Sequence, residues 1–117
     1  MIIKSLKLKN YRNYDLLDLT FDPKTNILYG DNAQGKTNLL ESIFVLAMTR
    51  SHRTSQEQEL IGWNQESAYI KGELQKKHAN LPLEILLTKK GRKTKVNHIE
   101  QKKLSSYIGQ MNVILFA

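Results

Sequence analysis

Gly30-Asp31-Asn32-Ala33-Gln34-Gly35-Lys36-Thr37 fills the phosphate-loop pattern G-x-x-x-x-G-K-[ST] at every position. Each part of the pattern has a physical task. Gly30 and Gly35 let the backbone turn where a side chain would clash. The loop amides then point inward as a nest for phosphate oxygens. Lys36 brings a mobile positive charge to the β and γ phosphates, and the Thr37 hydroxyl is placed to ligate Mg²⁺.

The flanking sequence supplies the context this loop requires. Asn26-Ile27-Leu28-Tyr29 is a short apolar run of strand length. Behind the loop, Leu39, Leu40, Ile43, Phe44, Ala47 and Met48 recur at helical spacing, which predicts a helix with one broad apolar stripe. The N-terminus of that helix adds its positive dipole end to the same anion site.

Working outward, Ser5-Leu6-Lys7-Leu8-Lys9 alternates as a half-buried strand does, and Leu17, Leu19 and Phe21 alternate again before Asp22-Pro23. Asn10 to Asp15 reads as a polar turn flanked by tyrosines. Leu60-Ile61-Gly62-Trp63 reads as a packed turn, with Trp63 more often core than a base-stacking platform. Ala68, Ile70, Gly72 and Leu74 alternate, as do Leu83, Ile85 and Leu87, with a hairpin turn at Lys89-Lys90-Gly91-Arg92. A short helix is predicted over 103–109, carrying Leu104, Tyr107 and Ile108. The expected fold class is therefore α/β: a mixed sheet around the phosphate-loop helix, with an antiparallel β part beside it.

Bulk properties bound the function. The chain has 117 residues, enough for one modest domain, and no cysteine, which removes disulfides and thiolate metal sites. No apolar run reaches membrane-span length and the first residues are no signal peptide, so a soluble, intracellular protein without membrane contact is expected. Eighteen basic against eleven acidic residues give a net charge of +7, which favours polyanions, nucleic acid first. Lys4, Lys7 and Lys9 read as a solvated face or a lysine-protected edge strand. Lys89, Lys90, Arg92 and Lys93 read equally as a solvated turn or as DNA contacts. His52 reads as structural, and His78 and His98 as solvated.

Two features point to a piece of a longer protein. The chain ends in the apolar run Val113-Ile114-Leu115-Phe116-Ala117. It also lacks a convincing acidic residue at the end of an apolar strand (Walker B), which a nucleotide hydrolase needs to hold Mg²⁺. Asp18, the weak candidate, reads as solvent-facing.

Four segments in order resemble the RecF family of bacterial recombination mediators, an SMC-like group of ATPase heads. These are Asn10-Tyr11-Arg12-Asn13-Tyr14; Gly30 to Ile43; Ser51-His52-Arg53-Thr54 with Glu59-Leu60-Ile61; and Asn112 to Ala117. The resemblance implies a P-loop ATPase head of ABC type, with this chain (1–117) as lobe I and the second lobe and signature motif elsewhere. It implies a cytoplasmic bacterial DNA repair and replication protein that binds ATP, Mg²⁺ and DNA (single-stranded, double-stranded and gapped). It further implies RecO and RecR as partners, recombinase loading, and an ATP-dependent homodimer. Residue by residue, Gly30, Asp31, Asn32, Ala33, Gln34, Gly35, Lys36, Thr37 and Asn38 fall in the nucleotide site, with Thr37 toward Mg²⁺. Arg12 matches an arginine that approaches the nucleotide, and a guanidinium suits bidentate phosphate recognition. Arg53 is open between a DNA contact and a loop-ordering role. Without Walker B and signature motif, the chain by itself is expected to hydrolyse no ATP. Two alternatives stand beside this reading: a small P-loop nucleoside or nucleotide kinase, and a basic DNA-binding module whose phosphate loop stays empty.

Overall fold

The strand expected from residues 5–9 extends over ten residues in the computed structural model, as β1 (Ile2–Tyr11). The structure describes residues 2–21 and 33–110, with backbone alone at position 2 and positions 33–36. β1 turns through Arg12 and Asn13 into β2 (Tyr14–Thr20), with Tyr11 opposite Tyr14. Helix α1 (Ala33–Met48) follows, then a single 3-10 turn at Glu57–Leu60. The remaining strands are β3 (Ser67–Gln75), β4 (Asn80–Thr88), β5 (Gly91–Val96) and β6 (Ile99–Gln101), and a short helix α2 (Leu104–Tyr107) comes after them.

The six strands form one sheet in the order β2-β1-β3-β4-β5-β6, every neighbouring pair antiparallel. The strands expected at 26–29 and 113–117 lie outside the described residues, as does any parallel component they contribute. Gly30, Asp31 and Asn32 also lie outside them.

Period-two alternation gives the sheet two unlike faces. Leu6, Leu8, Ile70, Leu74, Leu83, Ile85 and Leu87 are completely buried on the inner face, where α1 packs. The outer face carries charge in register: Asp18, Lys7, Lys71, Glu84, Lys95 and Glu100 follow one another across all six strands. Most of these neighbours are opposite charges, which favours the pairing. Lys7 and Lys9 belong to a solvated face and to no edge, because β2 lies outside β1.

Gly72 explains how α1 sits on this sheet. A Cβ at that position would collide with Leu46 Cδ2, so the missing side chain is the notch that receives a fully buried leucine. Tyr107 of α2, also buried, donates its hydroxyl to the Leu46 carbonyl at 2.5 Å. Its neighbour Ile108 stays 39% exposed, so α2 contributes one anchor and no broad apolar face.

The buried stripe of α1 differs from the expected one. Leu39 and Ala47 are buried, but Leu40 and Met48 are exposed, at 37% and 40%. Asn38, Glu41, Ser42 and Val45 line the buried side at positions i, i+3, i+4 and i+7. The helix therefore presents polar groups inward, which is tolerable only because they find partners there. Trp63 is a second correction: it is 93% exposed, although Leu60 and Ile61 beside it are buried. A tight turn bonds the Gln65 amide to the Gly62 carbonyl at 3.0 Å, with Asn64 at φ 62°, and this turn carries the indole outward.

Candidate functional site

The polar face of α1 begins one residue after Thr37 and is organised by Glu41, whose side chain is fully buried. Tyr11 donates its hydroxyl to Glu41 Oε1 at 2.6 Å. Arg12 grips the same carboxylate with two prongs, Nε to Oε1 at 2.6 Å and Nη2 to Oε2 at 2.8 Å. The Ser51 hydroxyl donates to Oε2 at 2.7 Å. Arg53 Nη1 lies 3.7 Å from Oε2. Burial alone would push the Glu41 carboxyl up; Arg12, Tyr11 and Ser51 outweigh it and hold the carboxyl below its ordinary range. The converse effects fall on its partners. Burial, then Glu41, push the Tyr11 hydroxyl far up, and Glu41 raises the Arg12 guanidinium.

Asn38 makes the second link in this network. Its Nδ2 donates to Asn13 Oδ1 at 3.0 Å, and its Oδ1 accepts from Arg53 Nη1 at 2.8 Å. α1 opens at Ala33, which puts Asn38 in the second turn, 3% exposed. Ser51 orders the loop after α1: its hydroxyl accepts from the Arg53 and Thr54 amides at 2.9 and 3.3 Å.

The β1–β2 turn is held in place by backbone bonds. Arg12 N–H donates to the Leu60 carbonyl at 2.9 Å, and Gly62 N–H to the Asn10 carbonyl at 2.7 Å. Asn10 and Arg12 have φ of 54° and 48°, the left-handed region that these contacts must enforce on residues with side chains. A Cβ at Gly62 would stand 3.1 Å from the Asn10 carbonyl oxygen and 3.3 Å from that of Arg12, so any side chain there presses on both carbonyls. Three segments thus converge on the helix that continues the phosphate loop.

The expected DNA contacts do not form one patch. Arg92 and Lys93 are adjacent in β5 and so point to opposite faces. Arg92 stands opposite Leu87 on the inner face and pairs with Glu57. Lys93 is exposed on the outer face, opposite Leu86. Lys89 and Lys90 are exposed at the hairpin turn, where Thr88 Oγ1 accepts from the Lys90 amide at 3.2 Å and donates to the Gly91 carbonyl at 2.8 Å. Asp18 is exposed, in keeping with a solvent-facing role. His52 packs its ring 4.9 Å from that of Phe44, in keeping with a structural one.

A profile described as the RecF/RecN/SMC N terminal domain matches residues 2–113. The chain belongs to that family. It is 65% identical, over all its 117 residues, to the DNA replication and repair protein RecF of Enterococcus faecalis, of which it covers 31%. The RecF of Lysinibacillus sphaericus is 59% identical, with 32% of its length covered. Two solved structures of the recombination mediator protein RecF in the RecFOR pathway, RecF-ATPrS and RecF-ATP, superimpose with TM-scores of 0.91 and 0.90. Each is 32% identical to this chain, covering 99% of it and 32% of theirs. The chain therefore spans about a third of the length of the relatives it matches. The fold is that of lobe I of a RecF-type ATPase head.

Sequence reasoning missed Glu41, Asn13 and Ser51. One signal was available: Glu41 is the lone acidic residue of α1 and shares a face with Asn38 and Ser42. Among the described residues, no group of three or more His, Cys, Asp or Glu could hold a metal ion, and no helix is long and apolar enough to cross a membrane.

Proposed function

We propose that residues 1–117 are the ATP-binding lobe of a RecF-type DNA replication and repair protein. One observation supports this most: the phosphate-loop sequence runs directly into α1, and Glu41 ties that helix to the Arg12 turn. The residues present fit Mg-ATP. The backbone of positions 33–36 forms the first turn of α1, whose amides lack partners within the helix and favour an anion. Thr37 follows and is exposed. In this reading the amides of Gly30, Asp31, Asn32, Ala33, Gln34 and Gly35 cradle the phosphates, Lys36 neutralises them, and Thr37 ligates Mg²⁺. Arg12 lies at the rim with its orientation fixed by Glu41, and Asn38 sets the spacing between that rim and α1. Bound Mg-ATP would supply the cleavable γ-phosphate. Hydrolysis belongs to the complete protein, in which a second lobe and an ATP-dependent homodimer partner complete the site.

In the same reading the complete protein is cytoplasmic and bacterial. It binds single-stranded, double-stranded and gapped DNA and acts with RecO and RecR to load recombinase. The exposed Lys89, Lys90 and Lys93 supply phosphate contacts, and Arg53 serves the internal network. The RecF relatives and their RecFOR structures favour these roles over a nucleoside kinase.

The experiment titrates Mg-ATP against the chain and against Lys36→Ala by calorimetry. The expected result is measurable binding that Lys36→Ala weakens by at least about tenfold, one lost charge-assisted contact. Equal affinity of the two forms overturns the proposal.

A further inference from the structure

We propose that the cavity walled by Arg50, Arg53 and Arg92 binds a phosphate group at a site separate from the phosphate loop. The cavity measures about 330 Å³, at the lower end of the range for small-ligand sites. Its wall brings together two stretches far apart in sequence, the loop after α1 and strand β5.

The charge balance of the recess calls for an anion. Arg50, Arg53 and Arg92 line the recess with Glu57, and Arg53 is shared with Glu41 and Asn38, which leaves Arg50 with no carboxylate partner among the described residues. Glu57 is taken by Arg92, whose side chain is only 13% exposed. Even so, Arg92 Nε and Glu57 Oε1 are both buried without a hydrogen-bond partner among the described residues. Burial, and then the nearby charge of Arg50, weaken the hold of Arg92 on its proton. The two cations therefore press on each other across the recess, and an anion between them relieves that cost.

The shape of the donors narrows the class. Planar guanidinium forks suit oxyanions with several oxygens, and Arg50 and Arg92 approach the recess from two separate segments. Hydroxyls of Thr54 and Ser55 line the same wall and can add neutral donors. Ser51 is already committed to Glu41. The matching chemistry is a phosphate, either the phosphodiester of a strand or a free phosphate. Arg53 also bonds Asn38 on α1, so an occupant pulls on a residue that the phosphate-loop helix shares.

The inference stands apart from the ATP reading, and its test keeps the two distinct. Inorganic phosphate, and separately a short oligodeoxythymidylate without terminal phosphate, are titrated into the chain. Proton–nitrogen NMR follows the guanidinium Nε–H signals. The expected result is saturable movement of the Arg50 and Arg92 signals, unchanged in Lys36→Ala. Arg50→Gln, at an exposed position that the fold tolerates, weakens binding by at least about tenfold. Arg92→Lys keeps a cation beside Glu57 but loses the fork, and weakens binding as well. Response to inorganic phosphate identifies a free-phosphate site, and response to the oligonucleotide alone identifies a strand backbone; either supports the proposal. Silence with both probes overturns it. So does a response that Lys36→Ala abolishes and Arg50→Gln leaves intact.

Discussion

Arg12 and Glu41, 29 residues apart in sequence, meet in a two-pronged pair with contacts of 2.6 and 2.8 Å. The pair joins the β1–β2 turn to the helix that continues the phosphate loop. The carboxylate is fully buried and the arginine side chain 18% exposed, so water does little to weaken the attraction. Buried pairs add little net stability over an apolar alternative, yet losing one member is costly. The function of this pair is placement: it fixes where a guanidinium stands relative to α1.

That view predicts strong coupling. Glu41→Ala leaves Arg12, Tyr11 and Ser51 without their acceptor and should cost about 3 kcal/mol, as for other broken buried pairs. Arg12→Ala should cost somewhat less, since Tyr11 and Ser51 still satisfy the carboxylate. In a double-mutant cycle read by urea unfolding, the interaction energy should reach at least about 1 kcal/mol. Strict additivity would mean that the two residues do not act as a unit.

Acid should find the same weak point. The folded pKa of Glu41 lies below its ordinary value of about 4.3. Its contribution is therefore complete above that value and lost as pH falls through the lower folded pKa. Glu41→Gln should flatten this part of the acid limb. Tyr11 has the opposite sign: its pKa is raised, so its contribution holds below about pH 10 and declines above it. Tyr11→Phe should remove that alkaline decline. Urea midpoints measured across pH test both limbs, and an unchanged acid limb in Glu41→Gln would rule out the assignment.

Gly62 carries a constraint of a different kind. The amide of Gly62 is bonded to the Asn10 carbonyl, and the amide of Arg12 to the Leu60 carbonyl, so neither segment can retreat without breaking a bond. Gly62→Ala should cost about 1–2 kcal/mol through overpacking. It should also weaken ATP binding by moving Arg12. Gly91→Ala meets no atom within 4 Å and is strained only by its φ of 143°, so it serves as a control for backbone strain alone. Matched ATP affinities in the two variants would remove Gly62 from the site.

These residues mark where sequence reading succeeded and where it stopped. Leu6 and Leu8, Ala68 to Leu74, and Leu83 to Leu87 announced their strands, because one buried face imposes a period of two. The phosphate-loop pattern stands out in the sequence because few residues replace its glycines, although Gly30 to Asn32 lie outside the described residues. Glu41 was not, because a lone acid on an apolar helix ordinarily marks the solvent side. Its partners come from the β1–β2 turn and from the loop after α1, and only tertiary packing turns that face inward. Arg92 and Lys93, adjacent in sequence, lie on opposite faces, since a strand sends neighbours to opposite sides. Trp63 misled by its apolar neighbours, whose burial stops at the turn that follows them.

Trp63 gives the last test, and it reads the DNA contact proposed for Lys89 and Lys90. It is the single tryptophan of the chain and 93% exposed, so Trp63→Ala should change stability by no more than about 0.5 kcal/mol. Its emission should resemble that of a solvated indole and shift little on unfolding. Trp63 and Lys89 line the same cavity, so a strand held by Lys89 brings its bases within reach of the indole face. Oligodeoxynucleotides should therefore quench the emission, with a salt dependence that Lys89→Ala and Lys90→Ala each reduce by about one unit of slope. Lys36→Ala should leave the quench intact in the absence of ATP. If DNA binds the chain and the emission does not change, the strand lies elsewhere and Lys89 is a solvated turn residue.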